Sequence, residues 1–377
     1  MSETLRLVAT ASRGTEPLCA GELRALGLDH VRERVGAVEF SGTLAEALRA
    51  CVELRTAMRV LLPLGRVAAP GPEGLYESLR ALPWHDRLDL RRTFAIEVTG
   101  QSEGLTHSLF VAQKAKDAIV DALRARWGAR PDVSPKDPDV RIVIHLHAGQ
   151  ADVSLDVAGQ SLHRRGWRAR PHPASLKETL AAALLLGAGY TGEGPLVDPM
   201  CGAGTIAIEA ALIAARRAPN AERQFGAERW PSFGEAERRI LVGLRAEARA
   251  RERKDPPLIR ASDRDEEAVA SARENARRAR VKLELSVADA RELAPLSPPG
   301  FVLSNPPYGA RSGAGGGQKQ LKTYFHALGE RYRALGGHTL AFLAGAPAFE
   351  SAFGLRPVAR RKLWNGPIEC ELLVYRP

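Results

Sequence analysis

Leu196-Val197-Asp198-Pro199-Met200-Cys201-Gly202-Ala203-Gly204-Thr205-Ile206-Ala207-Ile208-Glu209 decides the reading of this chain. The stretch starts apolar, carries a carboxylate, passes through two glycines one residue apart, and turns into a run of small helix-forming residues. That is the pattern of a buried parallel strand, a tight turn and a helix start. Glycines at 202 and 204 let the backbone turn sharply and let a ligand approach where a Cβ would clash. The amides that open the helix present partial positive charge to that ligand. Gly202, Gly204 and Ala207 also fit the GxGxx(G/A) spacing of dinucleotide sites.

Working outward, residues 166–377 alternate strand and helix about five times. Further strands are expected at Leu258–Asp263, Lys282–Val287, Phe301–Ser304 and Thr339–Ala344, with helices between them. The chain closes on a hairpin, Arg360–Trp364 and Glu369–Tyr375, turned at Asn365-Gly366-Pro367. The fold class is therefore α/β: a doubly wound, mainly parallel sheet with its ligands at the carboxyl ends of the strands. Residues 218–256 form an insertion rich in Arg and Glu, whose mixed-charge helix reads as a solvated face.

The N-terminal part reads differently. Strands at 4–10, 37–40 and 58–64 alternate with helices at 16–27 and 43–54, a small ferredoxin-like α+β pattern. Residues 66–85 read as loop. A strand at 94–98, a long helix at 108–127 and strands at 141–147 and 151–157 make a second unit. His145 and His147 share one strand face, but with no third ligand nearby a metal site is not expected. The basic segment 161–173 then links to the domain at 174–377, which begins with a helix from Ala174 to Leu186. The expected domains are 1–65, 66–160 and 174–377.

Of 377 residues, 54 are Lys or Arg and 44 Asp or Glu, a net +10. Residues 1–165 contribute only +1 and residues 166–377 contribute +9, so the basic excess accompanies the glycine turn. A polyanion suits such a field; solubility alone is the other explanation. No apolar run approaches the ~20 residues that span a bilayer, and no signal peptide is read at the N-terminus. Four scattered cysteines fit a reducing cytoplasm.

The chemistry is carried by successive strand ends. Asp263 can accept hydroxyl hydrogen bonds from a ribose, and Asp289 can accept from an exocyclic amine; either could instead cap the next helix. Asn305-Pro306-Pro307-Tyr308 follows the fourth strand. Its prolines remove N–H donors and leave two acceptors, the Asn305 side-chain oxygen and the Pro306 carbonyl. Convergent acceptors suit an NH2 group that must attack a methyl, and Tyr308 offers a face for the ring bearing it. The stretch serves adenine N6 and guanine N2 equally. A nicotinamide enzyme fits the glycine spacing but gives Asn305–Tyr308 no role.

Asn305-Pro306-Pro307-Tyr308 resembles the catalytic motif of class I S-adenosylmethionine-dependent amino-methyltransferases. Asp198 to Thr205, with Ile208-Glu209-Ala210-Ala211 behind, is similar to the cofactor loop of the THUMP-domain RNA methyltransferases. The bacterial guanine-N2 methyltransferases of large-subunit ribosomal RNA are the nearest branch. Leu162 to Arg168, Lys177 to Ala182, Ala218-Pro219 and Asn365 to Cys370 carry the same resemblance. It implies a ferredoxin-like unit and a THUMP domain ahead of a Rossmann-like methyltransferase domain. It also implies S-adenosylmethionine binding by Asp198, Gly202, Gly204, Asp263 and Asp289, with Pro199, Cys201 and Thr205 beside them. Asn305 to Tyr308 would hold a flipped base. The implied partner is RNA, ribosomal first and transfer RNA as the alternative. Candidate RNA contacts are Arg164, Arg165, Trp167, Arg168 and Arg311, with packing at the domain junction the favoured reading of Trp167. Ala203 departs from the serine frequent in the family.

Overall fold

The computed structural model describes residues 4–169, 176–307 and 317–377. Tyr308, Arg311, the glycine run at 313–316 and the expected helix start at Ala174 lie outside the described residues.

The first unit runs β1 (Leu5–Ala11), α1 (Glu16–Ala25), β2 (Asp29–Arg34), β3 (Ala37–Gly42), α2 (Leu44–Glu53) and β4 (Ala57–Ala68). The second runs α3 (Pro72–Arg80), β5 (Phe94–Gly100), α4 (Ser108–Trp127), β6 (Val140–His147) and β7 (Gln150–Asp156). Their strands form one seven-stranded sheet, ordered β2-β3-β1-β4-β7-β6-β5. The two units are joined by antiparallel pairing of β4 with β7, from Leu61 opposite Asp156 to Ala68 opposite Gln150.

Two expectations change here. No strand was expected at β2, because Asp-His-Val-Arg-Glu-Arg forms an exposed edge with no apolar alternation. Residues 66–85 are not loop: β4 runs on to Ala68, and α3 follows with Gly71 at its N-cap and Pro72 at its start. Proline at a first helical position gives up only an N–H that has no partner within the helix.

The second sheet contains β8 (Leu196–Asp198), β9 (Ile259–Asp263), β10 (Glu284–Val287), β11 (Phe301–Ser304), β12 (Thr339–Ala344), β13 (Ala359–Asn365) and β14 (Ile368–Tyr375). Its order is β10-β9-β8-β11-β12-β14-β13. The first five strands are mutually parallel, and β14 runs antiparallel between β12 and β13. Helices α5 (Glu178–Gly187) and α6 (Thr205–Ala214) are built into the core on one face, with Ala272 of α8 (Glu266–Ala279). The opposite face is covered by α9 (Gln318–Tyr332) and α10 (Phe349–Phe353). All ten residues of α6 are buried; eight are apolar, and its one charge, Glu209, is met by a buried arginine.

The insertion is no solvated strip. Phe225, Trp230 and Phe233, with Leu241, Leu244 and Ala248 of α7 (Glu235–Ala250), complete the core of the N-terminal sheet. Gly159 and Gly226 meet backbone to backbone, where a side chain on either would collide with the other. The exposed face of α7 does carry the expected charges, including Arg238 and Arg239.

Candidate active site

Strand order reverses between β8 and β11, and in an open α/β sheet a crevice opens at that switch point. The crevice is a cavity of about 520 Å³. Its wall takes Asp198 from the end of β8, Pro199, Met200, Cys201, Gly202 and Ala203 from the turn that follows, and Thr205 and Ile206 from α6. Asp263, Arg264 and Asp265 follow β9; Asn305 and Pro307 follow β11; Ala290, Gln320, Leu321, Tyr324, Ala268 and Leu176 complete it.

The turn has the left-handed backbone that its glycines allow: φ is +51° at Gly202 and +80° at Gly204. A Cβ on Gly204 would sit 3.0 Å from that of Ala272, so this glycine also lets α6 approach α8. A Cβ on Gly202 would meet nothing within 4 Å, which leaves its cavity-facing backbone open to a ligand. The loop is anchored by Cys201 N–H to the Ser262 carbonyl at 2.9 Å, and by Gly202 N–H to Asp263 Oδ2 at 2.8 Å. Asn275 of α8 donates to the Ala203 carbonyl at 3.0 Å and accepts from Ala169 N–H at 2.9 Å.

Asp198 is buried at the end of β8. Ser304 Oγ donates to its Oδ1 at 2.5 Å, and Met200 N–H at 3.3 Å. Loss of solvent outweighs these bonds and raises its pKa to about 7, with the Asp263 charge adding to the rise. Asp263 also accepts from Asp265 N–H at 3.1 Å, so both of its oxygens already buttress backbone while the group lines the cavity.

Asp289 caps the short 3-10 turn Ala290–Glu292. Both its oxygens are held by the Arg291 guanidinium, at 2.9 and 2.8 Å, and that hydrogen bonding keeps its carboxyl below the usual carboxylate range. It stands beside the cavity, and its neighbour Ala290 is the one that lines it. Asn305 is at the cavity wall, its Oδ1 shielded from solvent and without a hydrogen-bond partner among the described residues. Pro306 beside it is buried.

The basic linker corrects the reading of its charges. Arg164 is exposed. The Arg165 side chain is wholly buried, paired with buried Glu209 of α6 at 3.3 Å and donating to Asn220 Oδ1 and to the carbonyls of Leu162 and Arg55. Arg168 pairs with Glu178 at 3.0 Å and donates to the Leu176 carbonyl and Thr205 Oγ1. Trp167 packs on Ile208, Leu212 and Ala276. Arg165 and Trp167 are therefore interior residues, and Arg168 is committed to Glu178, Leu176 and Thr205. Inward arginines are tolerated because carboxylates meet them, Glu178 ten residues beyond Arg168 and Glu209 44 residues beyond Arg165. Of the residues that line or shape the site, Ser304, Asn275 and Tyr324 had no motif to announce them. Among the described residues no three His, Cys, Asp or Glu side chains gather as a metal site.

Residues 165–373 match the family described as RMKL-like, methyltransferase domain; residues 6–61 match the RlmL ferredoxin-like domain and 72–156 the THUMP domain. The chain is 39% identical over 394 residues to the ribosomal RNA large subunit methyltransferase K/L of Syntrophotalea carbinolica. That alignment covers 99% of this chain and 54% of the relative, so the chain spans about half the length of the curated relatives it matches. Among solved structures, SMU.472 complexed with SAH superposes with a TM-score of 0.89 at 31% identity, covering 100% of this chain and 99% of the other. A chain from Listeria monocytogenes str. 4b F2365, described as a predicted N6-adenine-specific DNA methylase, gives 0.87 at 28% identity, covering 100% and 97%. With the match at 165–373 covering over half of its length, the chain belongs to the RMKL-like methyltransferase-domain family.

Proposed function

We propose that this protein is an S-adenosylmethionine-dependent RNA methyltransferase acting on the exocyclic N2 amine of a guanine in large-subunit ribosomal RNA. The observation that carries the proposal is Asn305 Oδ1: a buried acceptor with no partner among the described residues, on the wall of the cavity that the glycine turn opens. Buried polar atoms are nearly always paired, so an orphan at a cavity wall points to a group that arrives with the substrate. An amine proton satisfies it.

The other wall residues fit the cofactor. Gly202 leaves room for close approach, and buried Asp198 calls for a cationic partner such as an ammonium group. Asp263 fixes the loop and keeps lone pairs free for a ribose. Bound there, S-adenosylmethionine would supply an electrophilic methyl carbon. Asn305 Oδ1 and the Pro306 carbonyl would accept hydrogen bonds from the amine's two N–H groups, orient its nitrogen, and favour the positive charge that would build on it as the carbon–nitrogen bond forms and the methyl's bond to sulfur breaks. The surplus amine proton would then leave to water. Tyr308 would stack on the base. Pro199, Cys201 and Thr205 shape the cofactor side, and Asp289 holds the turn that brings Ala290 to the wall.

The same acceptors would serve an adenine N6 amine. The choice of large-subunit ribosomal RNA is supported by the name of the 39%-identical relative and by the THUMP match, while guanine over adenine rests on the resemblance of the sequence motifs. Transfer RNA is the alternative substrate. In this reading residues 1–160 choose the RNA, 161–173 connect, and 174–377 perform the transfer. Arg164 and Arg311 remain candidate phosphate contacts, and a reducing cytoplasm suits four buried, widely separated cysteines. No described helix is long and apolar enough to cross a membrane.

Asn305→Ala tests the assignment. Methyl transfer to ribosomal RNA should fall about 10²–10³-fold, as when one preorganised hydrogen bond to a reacting group is removed. Cofactor affinity by calorimetry should stay within about twofold. Undiminished transfer would overturn the mechanism.

A further inference from the structure

Tyr324 is the largest side chain on the cavity wall and belongs to none of the motifs above. It lies on α9, one turn beyond Gln320, half-buried and lining the cavity. The Arg291 guanidinium sits over that ring, 5.5 Å from its centre, and Asp289 holds the guanidinium by two oxygens. The ring is therefore backed by a charge pair instead of moving freely. The turn that supplies Arg291 is itself tied to α9, since Tyr332 Oη donates to the Ala290 carbonyl at 2.9 Å.

Its position along the sheet says which part of a ligand it meets. Asn305 follows β11, beside β8, where the methyl group and amine must meet. Tyr324 stands with Ala290 and Arg291, which follow β10, two strands beyond β8. A cofactor extended across the strand ends brings its amino-acid end to β8, its ribose to Asp263 after β9, and its base to the end of β10.

We infer that Tyr324 is the stacking wall for the adenine of the bound cofactor, with Arg291 and Asp289 holding its ring in place. This rests on the S-adenosylmethionine reading proposed above. Stacking needs a π face and not the hydroxyl, which has no hydrogen-bond partner among the described residues. Tyr324→Phe should therefore preserve binding, while Tyr324→Leu, which keeps much of the bulk, should not.

The test is calorimetry of the full chain with S-adenosylhomocysteine. Tyr324→Leu should raise Kd about tenfold, equivalent to 1.4 kcal/mol, and Tyr324→Phe should stay within about twofold. Transfer assays should show a raised KM for S-adenosylmethionine with kcat within about threefold of the unmodified chain. Equal Kd for Tyr324→Leu and the unmodified chain would overturn the stacking role and leave the methyltransferase reading intact. Failure of the unmodified chain to bind S-adenosylhomocysteine would overturn that reading and the inference with it. A thermal melt of Tyr324→Leu matching the unmodified chain assigns a raised Kd to the lost ring; if the melt falls and Tyr324→Phe also binds tenfold more weakly, the stacking role is overturned.

Discussion

Replacing Asp198 with asparagine should make the ligand-free protein more stable and the proposed cofactor complex weaker. Burial raises this carboxyl from 3.8 to about 7. Three pKa units at 1.36 kcal/mol each amount to about 4 kcal/mol against holding the charge at neutral pH. The sign follows from proton uptake. Between about pH 4 and 7 the folded state binds more protons at this site than the unfolded state, so stability falls as pH rises through that window and levels above it. Asparagine keeps the acceptor that Ser304 and Met200 use and never ionises. The advantage of Asp198→Asn should therefore open near pH 4 and reach its plateau above pH 7. With an unfolding entropy of about 2.1 cal/mol/K per residue, 4 kcal/mol is worth about 5 °C in Tm for a chain of this length. Melting curves at pH 4.5, 6, 7 and 8 measure it. Calorimetry should show the cofactor binding at least about tenfold more weakly to the variant at pH 8, because its ammonium would lose an ionised partner, with the gap narrowing below pH 7. A Tm difference equal at pH 4.5 and 8 would refute the burial argument, and unchanged affinity at pH 8 would refute the pairing with a ligand cation.

Arg164 and Arg165 should behave as opposites despite being neighbours. Arg165→Met strands Glu209 in the interior and should destabilise the fold by about 3–5 kcal/mol, whereas Arg164→Ala should leave Tm unchanged and lower the salt slope of RNA binding by about one phosphate contact; melting and filter-binding titrations read the two. Gly204→Ala combines a left-handed backbone with a close contact on Ala272 and should cost about 1–3 kcal/mol of stability. Gly202→Ala carries left-handed strain too but has room for its methyl, so it should cost less stability than Gly204→Ala and also weaken cofactor binding; a larger Tm loss at 202 than at 204 would contradict the packing described.

The glycine turn was legible because few sequences can make it: two left-handed residues, a preceding carboxylate and an apolar helix leave little choice of backbone. The terminal hairpin was legible for a similar reason, with strand alternation on both sides of Gly366. Legibility ended where a residue's role depends on a distant partner. Arg165 looks like a phosphate ligand until Glu209, 44 residues on, is found beside it. Phe225, Trp230 and Phe233 follow no helical or strand period, so nothing local said that they close the core of a sheet built by residues 5–156. Tyr324 reads as one aromatic on an amphipathic helix; only the fold brings Arg291 over it. Asp289 shows the same limit from the other side, since its place after a third strand suggested a ligand contact and Arg291, two residues along, takes both of its oxygens.

The cluster around Arg165 also bears on how the two halves could work together. Its guanidinium reaches the Arg55 carbonyl in the first unit, Asn220 in the insertion and Glu209 on the helix behind the cofactor turn. Arg55 in turn donates to the Arg217 carbonyl, and Asn220 Nδ2 to that of Leu54. An apolar seam of similar size could hold these segments together about as strongly, because desolvating an ion pair offsets much of its attraction. What an apolar seam lacks is direction. Hydrogen bonds from one planar fork to three segments fix an angle between them, whereas apolar side chains can slide. The hypothesis this supports is that the junction is built for registry, so that RNA gripped by the N-terminal sheet presents one nucleotide to the cavity. Arg165→Met would then broaden the choice of methylated nucleotide under conditions where the variant remains folded, and modification mapping that still finds a single site would count against registry as the purpose of the pair.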